Sequence, residues 1–489
     1  MSKPFSDTGA SNFKKPLFII ISLIIAFVLG QMVAKKGMLI AGALIGLPIV
    51  FTIVIIIFKT PRYGLVMVIA LSFLAIGLLR YIKGIPLGLS IDALLFLSLL
   101  GIFFGGWRKL DWSPTKNRLM LLAILWMGYT VLELGNPEMR SAMAWFYAMR
   151  GVALYMILII PIAFMVFNKK KYLDLFLNMW VFFSILGTLK GMLQLIIGPD
   201  YAEQRWLDAG AEVTHILFGK LRVFSFYSDA GQFGAAQAHA CITFGIIALT
   251  PKMTTKRRII FAIASFLGLI GMMISGTRGA IAVPGAGVFI YLFLTKNFKI
   301  FFMGVMAGFL MFAVMKYTSI GQGIPQVSRM RTAFDPNEPS LMVRKRNQAK
   351  LAIYLKSRPM GGGIGSAGSW GLRFSPNSLL AQTPTDSWYV KIWAEMGIIG
   401  LYLHLIILFT IVLESSYVIW AKLKNPEVRQ IMLGLIAGVF GIMAASYGNG
   451  ILGQVPTGSL MYLSWAFLYM SKNIDKECEN KNEIKKIKN

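Results

Sequence analysis

The chain has 489 residues, of which 56% are hydrophobic and 14% are charged, and its formal net charge at pH 7 is +28. The mean hydropathy of +0.66 lies well above that of soluble globular domains. This composition excludes a soluble enzyme and predicts an all-α polytopic membrane protein.

Apolar runs of spanning length recur along the chain. A transmembrane helix needs about 20 apolar residues, and we expect about 12 to 14 transmembrane helices here. The predicted spans cover residues 16–34, 38–58, 63–79, 85–105, 118–134, 151–167, 173–197, 233–250, 257–275, 279–296, 300–318, 396–420, 429–449 and 456–471. The first run lacks a small-residue cleavage site, so we interpret it as a span and not as a signal peptide.

The distribution of basic residues predicts the orientation of these spans. Short loops rich in Lys and Arg mark the cytoplasmic side of a membrane protein. The basic segments that fall on one side of a fourteen-span arrangement are 107–118, 168–172, 251–258, 421–429 and the tail 481–489. Both termini are then predicted to be cytoplasmic, although the basic loops 34–37 and 80–84 fall on the opposite side.

The two longest loops, 198–232 and 319–385, emerge on the outer face in this arrangement. Long loops in compact proteins are usually functional or disordered. Within the second loop, residues 341–359 predict an amphipathic helix on the membrane surface. The positions that recur there at helical spacing are Leu341, Arg344, Gln348, Leu351 and Leu355. The "MGGGIGSAGSWG" segment that follows lacks the strand and the Lys-Ser/Thr of a phosphate-binding loop, so it predicts a flexible turn that lets the backbone approach a ligand.

Four arginines near the predicted outer face are candidates for binding an anion: Arg150, Arg222, Arg278 and Arg344. Arg278, in "SGTRGA", lies between two apolar runs with almost no loop around it. A guanidinium matches phosphate oxygens with a planar fork, which Lys cannot provide. A phosphate or diphosphate group is therefore one predicted ligand. The alternative is that each arginine reaches a lipid headgroup or a helix end.

The stretch "SFYSDAGQFG" places Tyr227, Asp229 and Gln232 just before a predicted span. These polar side chains could bind sugar hydroxyls. Asp229 has an alternative role as the N-cap of the helix that follows, because Asp is a preferred N-cap residue.

The histidines and cysteines predict no metal or redox site. His215, His239 and His404 are isolated from one another and from other ligand residues, so we interpret them as structural. Cys241 and Cys478 form no disulfide framework. We therefore expect no cofactor.

Asp386, in "TPTDSWYVKIWAEMG", has two possible roles. Thr383 as N-cap, Pro384 at the first helical position and Asp386 at the third resemble a capping box. The same helix would place Tyr389 on the face of Asp386, beside the membrane interface. Asp386 could instead accept a proton from a substrate.

Four segments, in order, resemble the motifs of the O-antigen ligase and O-antigen polymerase superfamily. They are "RVFSFYSDAGQFGA" from residue 222, "SGTRGA" from 275, "RKRNQAKLAIYLKSRPMGGGIGSAG" from 344 and "TDSWYVKIWAEMGIIGL" from 385. The resemblance covers roughly residues 220–405. It implies a glycosyltransferase of the outer leaflet of the bacterial inner membrane that needs neither nucleotide sugar nor metal.

The resemblance also implies the substrates and several residue roles. The donor would be an undecaprenyl-diphosphate-linked glycan, and the acceptor a glycan or the lipid A core, with the lipid bilayer as partner and no nucleic acid. Arg222 and Arg278 would hold the donor diphosphate, Arg344 would assist, and Asp386 would act as catalytic base with Tyr389 nearby. Asp386 stands where ligases carry His, and Asp229-Ala230 stand where the family favours Pro-Asn. The missing His favours a polymerase over a lipid A ligase.

We expect three regions: N-terminal transmembrane helices in 1–219, a catalytic region in 220–420, and C-terminal helices with a basic cytoplasmic tail in 421–489.

The competing function is a transporter or flippase of a lipid-linked or anionic substrate. Against it, the sequence has no evident inverted repeat, and the candidate residues cluster at one face and not at the midplane. A non-catalytic scaffold of an envelope complex is a third alternative.

Overall fold

The computed structural model describes residues 19–488, except for 21, 25–26, 29, 32, 36, 83–86, 106–110, 218, 296–297, 320–322, 324–327, 329–330 and 332–338. Parts of the predicted first span and of the predicted outer loop 319–385 lie outside the described residues. The chain divides into two units, Met1–Thr60 and Pro61–Asn489.

The first unit contains the helix Met38–Lys59. Pro48 lies inside this helix, and the Thr52 hydroxyl donates to the Pro48 carbonyl at 2.8 Å. The run predicted at 38–58 therefore forms a helix of nearly the predicted length.

The second unit is built almost wholly of helices. Its α-helices are Arg62–Leu78, Leu87–Gly105, Arg118–Leu132, Ala142–Met149, Tyr155–Val166, Lys170–Ile196, Tyr201–Trp206, Glu212–His215, Ala230–Ala248, Thr255–Ile274, Ala282–Leu294, Phe298–Tyr317, Pro339–Leu355, Gly368–Phe374, Leu379–Gln382, Trp388–Ala421, Pro426–Ala445 and Thr457–Lys488. Short 3-10 or π-helical segments are Ser113–Thr115, Glu133–Gly135, Arg150–Leu154, Leu207–Ala211 and Arg278–Ile281. The two short strands, Ile216–Leu217 and Lys220–Leu221, pair antiparallel.

Seven helices among the described residues are long and apolar enough to cross a membrane. They are Leu87–Gly105, Arg118–Gly135, Ala142–Val166, Lys170–Ile196, Thr255–Ile274, Trp388–Ala421 and Pro426–Ala445, and shorter apolar helices include Arg62–Leu78 and Arg278–Leu294. The all-α polytopic membrane fold is thus confirmed. The expected total of about 12 to 14 spans stays a prediction.

The helix Ala230–Ala248 lies at the centre of the second unit. Nearly all its residues are buried, and it packs against Thr255–Ile274 and Pro426–Ala445. Small residues allow this close approach: a Cβ at Gly268 would lie 2.8 Å from the Gln237 carbonyl oxygen. Because protein surrounds this helix, its polar residues can be buried. Its N-terminal end lies at the candidate functional site.

The basic loop 80–84 falls on the side opposite to the other basic segments in the predicted orientation. Its arginine, Arg80, has a structural role. The buried Arg80 guanidinium donates to the carbonyls of Ser225 (2.9 Å) and Tyr227, and it stacks over Trp206 and Phe224. Burial lowers the pKa of Arg80 to about 10, so the group stays charged at neutral pH. A cation on this side is therefore part of the packing of the 222–228 segment.

The predicted loop helix is present as Pro339–Leu355. Its buried Leu351 and Leu355 form a core cluster with Ala367, Leu380, Val390 and Ala394. One face of the helix is therefore fixed to the rest of the protein. Its position at the membrane surface stays a prediction.

Candidate functional site

Arg344 and Asp386 meet beside the loop helix. Arg344 Nε lies 3.9 Å from Asp386 Oδ2, and the two side chains are 35% and 43% exposed. Both groups are therefore accessible to a ligand while they remain close to each other. An exposed pair at this distance contributes little to stability, about 0 to 1 kcal/mol.

The helix Pro339–Leu355 directs three polar side chains to one side. Ser340, Arg344 and Asn347 follow one another at helical spacing. Arg278 Nη2 donates to Ser340 Oγ at 3.1 Å, and Asn347 Nδ2 donates to the Pro384 carbonyl at 3.2 Å. One helix face thus brings the Arg278 segment and the Asp386 segment together.

Arg222 joins the same group through Thr277. Arg222 Nη2 donates to Thr277 Oγ1 at 3.1 Å, and Nη1 donates to the Thr214 carbonyl at 3.0 Å. Thr277 directly precedes Arg278, and its hydroxyl also donates to the Ala230 carbonyl at 2.8 Å. The two arginine-bearing segments are therefore fixed to each other at the N-terminal end of the central helix.

The turn 446–450 closes this group of segments. The Trp388 amide N–H donates to the carbonyls of Ser446 (3.0 Å) and Asn449 (3.3 Å). A Cβ at Gly448 would lie 3.8 Å from Arg344 Nη1, and a Cβ at Gly279 would lie 2.3 Å from Asn449 Nδ2. Continuous contacts therefore connect the segments of Arg222, Arg278, Arg344 and Asp386.

The predicted capping box around Asp386 is wrong. The helix begins at Trp388, and its N-cap is Ser387, whose hydroxyl oxygen accepts a hydrogen bond from the Val390 amide at 3.4 Å. Asp386 precedes the helix with a φ of 50°, a left-handed conformation that is uncommon for residues other than Gly. Ser387, and not Thr383, is the N-cap because the Ser387 hydroxyl also donates to the Ser446 carbonyl at 3.3 Å. Asp386 is therefore not used as a cap.

The Gly-rich segment 360–371 packs against the helix that follows Asp386. The Gly362 amide donates to the Ala394 carbonyl at 2.9 Å, and Pro359 approaches Gly397 so closely that a Cβ there would lie 1.9 Å from the Pro359 carbonyl oxygen. Gly397 has a φ of 66° and interrupts the helical geometry of Trp388–Ala421. The backbone of the Gly-rich segment was predicted to approach a ligand closely. In the structure it closely approaches the helix Trp388–Ala421.

Comparison with known proteins matches part of this region to one family. Residues 263–405 match the family model described as O-Antigen ligase. A curated "O-antigen polymerase" of Salmonella muenchen is 27% identical over 194 residues, which is 39% of this chain. Over this part of its length, the chain is similar to the O-antigen ligase family and to an O-antigen polymerase. The match spans 46% of the length of that relative. The superfamily region contains Arg278, Arg344 and Asp386, whereas Arg222 and the turn 446–450 lie outside it.

Arg150, outside the superfamily region, has other partners. Its Nε lies 2.6 Å from Asp92 Oδ2, and its Nη2 donates to the Gly88 carbonyl at 2.7 Å. The side chains of this pair are each 12% exposed. The predicted substrate-binding role of Arg150 stays a prediction.

Three other predicted ligand residues face protein groups. The buried Tyr227 hydroxyl accepts from Gln237 Nε2 at 3.2 Å, and Gln232 Nε2 donates to Thr457 Oγ1 at 2.8 Å. The Tyr389 hydroxyl donates to the Met443 carbonyl at 2.7 Å. Each of these side chains thus has at least one hydrogen-bond partner within the protein.

Asp229 is the N-cap of the central helix, as one of its two predicted roles required. Its Oδ1 accepts from the Gln232 amide at 2.9 Å. Its Oδ2 accepts from the Ser228 hydroxyl at 2.9 Å. A sugar-binding role for Asp229 stays a prediction.

The histidines support packing. His215 Nε2 accepts from the Ala230 amide at 3.3 Å, and burial lowers the pKa of His215. His404 Nε2 accepts from Trp388 Nε1 at 2.9 Å, and His239 packs against Trp180. Within the described ranges, no group of three or more His, Cys, Asp or Glu side chains is arranged to hold a metal ion.

Two polar residues at this site, Glu395 and Asn449, were not predicted from the sequence as site residues. Glu395 is fully buried, and its Oε1 accepts from the Ala367 amide at 3.3 Å, which ties the long helix to the Gly-rich segment. Asn449 contacts the Arg278 segment across more than 150 residues of chain. The first has a signal in the sequence, because Glu395 directly precedes the predicted span 396–420, and a charged residue at a span is expected to be functional or paired. The second has none that a local pattern could reveal.

Proposed function

We propose that this protein is a glycosyltransferase of the bacterial inner membrane. It transfers a glycan from undecaprenyl diphosphate to an acceptor hydroxyl on the periplasmic side, and both of its termini are cytoplasmic. No metal ion takes part. The proposal draws its donor and its location from the superfamily, and its residue roles from the geometry around Arg344 and Asp386.

One observation carries the proposal: a single helix face connects a set of arginines to one accessible carboxylate. Ser340 on that face contacts Arg278, and Arg344 contacts Asp386. Arg222 adjoins Arg278 through Thr277. Several guanidinium forks beside a carboxylate fit a reaction in which a diphosphate leaves and a hydroxyl is deprotonated.

In the proposed reaction the acceptor hydroxyl oxygen attacks the anomeric carbon of the donor glycan. The bond between that carbon and the diphosphate oxygen breaks, and undecaprenyl diphosphate leaves with the bonding electrons. The proton of the hydroxyl passes to Asp386 Oδ. Attack from the face opposite the leaving group inverts the anomeric configuration.

Arg222, Arg278 and Arg344 have distinct parts in this proposal. Arg222 and Arg278 neutralise the charge that develops on the diphosphate. Arg344 holds Asp386 before the donor binds. Because the diphosphate carries more charge than a carboxylate, it competes for Arg344, and Asp386 then faces the acceptor hydroxyl.

The acceptor is proposed to be a second lipid-linked glycan, which makes the protein a polymerase. Asp386 stands at the position where ligases of the superfamily carry His, and the curated relative bears the name "O-antigen polymerase". Transfer to a lipid A core is the other outcome that the superfamily offers.

The direct test is the mass of the product that the purified protein forms in detergent from a defined undecaprenyl-diphosphate-linked repeat unit. Extension by whole repeat units supports a polymerase, and transfer only when a lipid A core is added supports a ligase. Donor that remains unchanged in both cases contradicts the glycosyltransferase proposal. Movement of that donor across proteoliposomes would then favour the transporter.

A further inference from the structure

The side-chain amide of Asn449 occupies a distinctive place in the turn 446–450. Its Nδ2 atom is buried, and among the described residues it has no hydrogen-bond partner. A buried N–H donor that forms no hydrogen bond costs free energy, and such groups are few in folded proteins. An unpartnered amide at this place therefore calls for an acceptor that the protein itself does not supply.

Asn449 lies close to three segments of the candidate site. A Cβ at Gly279, next to Arg278, would lie 2.3 Å from Asn449 Nδ2. A Cβ at Gly231, two residues after Asp229, would lie 3.9 Å from Asn449 Oδ1. The Asn449 carbonyl accepts from the Trp388 amide at 3.3 Å, two residues after Asp386.

Arg344 completes the surroundings of this amide. A Cβ at Gly448, the residue before Asn449, would lie 3.8 Å from Arg344 Nη1 and 4.0 Å from Gly279 Cα. The Asn449 amide thus lies between the Arg278 and Arg344 segments. An anion held by these two arginines would have its oxygens beside the Asn449 turn.

We propose that Asn449 is a donor-binding residue, whose amide N–H donates a hydrogen bond to an oxygen of the donor diphosphate. This inference rests on the proposed function. A neutral amide adds no charge to the arginine group, but it fixes one oxygen in direction. Asn449 lies outside the matched superfamily region 263–405, so it adds a contact that the comparison does not supply.

The ligand chemistry follows from the donor and from its neighbours. Nδ2 offers hydrogens only, and the neighbouring segments carry Arg278 and Arg344, so the complementary group is an anionic oxygen. The donor diphosphate and a free diphosphate share that chemistry. Inhibition by inorganic diphosphate separates the two: weak inhibition shows that the lipid or glycan is also needed for binding.

Substitutions of Asn449 test this proposal, because thermal stability reports a structural role of the amide and the donor KM reports a binding role. Asn449→Leu is close in shape and removes the unpartnered donor, so it should leave thermal stability unchanged or raise it. If Asn449 binds the donor, the same variant raises the donor KM about tenfold with little change in kcat. Asn449→Asp places a carboxylate beside the diphosphate and should raise the donor KM further.

The matched control is Thr243→Val. Thr243 Oγ1 is also buried and unpartnered among the described residues, but it lies well inside the central helix. This variant should keep the wild-type KM and kcat. Asn449→Ala replaces Asn449→Leu if leucine overpacks the turn.

The outcomes separate the two proposals. Wild-type activity with an unchanged donor KM in Asn449→Leu or Asn449→Ala overturns the role of Asn449 and leaves the glycosyltransferase proposal in place. A wild-type protein that forms no product overturns both. A raised donor KM in a stably folded variant, together with a normal Thr243→Val, supports the inference.

Discussion

Arg344 Nε and Asp386 Oδ2 lie 3.9 Å apart, at the point where the helix Pro339–Leu355 meets the start of the helix Trp388–Ala421. Asp386 adopts a left-handed backbone conformation there, and such conformations are often found at functional sites. The carboxylate is thus held at the surface, next to a cation, instead of serving the helix.

Replacing the Asp386 carboxylate tests its proposed role as proton acceptor. Asp386→Asn keeps the shape and removes the basic oxygen, so kcat should fall by about 10²-fold to 10⁴-fold with a smaller change in donor KM. Steady-state polymer formation by the purified variant measures both. Asp208→Asn is the control, because Asp208 is exposed in the segment 198–232. A wild-type kcat for Asp386→Asn would exclude Asp386 as the base.

The loop helix should be released by a change in its buried face. Leu351→Ala removes a fully buried side chain from the cluster that anchors the helix, at a cost of about 2 to 5 kcal/mol. Faster proteolysis within 339–355 and lower activity are expected, because Arg344 then loses its fixed position. Ile353→Ala, on the same helix but 80% exposed, should behave as wild type. Equal proteolysis of the two variants would contradict this anchoring.

The sequence could predict the all-α membrane fold and the loop helix, because each depends on local pattern. It also singled out Arg222, Arg278 and Arg344, whose segments the structure brings together. The observed Pro339–Leu355 helix begins and ends within a few residues of the predicted 341–359. The N-cap was mispredicted because Thr383 and Ser387 are both good caps. The choice between them depends on the carbonyl of Ser446, a contact between distant parts of the chain. The use of Arg80 as a buried cation likewise depends on a remote segment.

Close packing at Gly279 should not tolerate a methyl group. A Cβ there would lie 2.3 Å from Asn449 Nδ2, so Gly279→Ala must displace either the turn 446–450 or the Arg278 segment. We expect activity to fall more than about tenfold while membrane insertion is retained, because a small misplacement of binding groups costs orders of magnitude in rate. Gly285→Ala is the control, since a Cβ at Gly285 meets no atom within 4 Å. Full activity of Gly279→Ala would show that this contact does not position the site.

His215 should make stability depend on pH. Burial holds the pKa of His215 below its ordinary value of about 6.5. The unfolded chain therefore takes up the proton more readily, so the His215 contribution to stability is complete above about pH 6.5 and is lost as the pH falls. The thermal midpoint should drop on acidification from pH 7.5 to 5.5, and less steeply in His215→Gln. Equal slopes for the two proteins would contradict this contribution.

The most direct test of the account is polymer formation by purified Arg278→Lys. The variant keeps the positive charge and loses the fork that matches phosphate oxygens. Arg346→Lys, on an exposed position of the loop helix, serves as the matched control. We expect Arg278→Lys to insert into the membrane and to form no polymer, and Arg346→Lys to form polymer at the wild-type rate. Normal polymer from Arg278→Lys would contradict the proposal that these arginines hold the donor diphosphate.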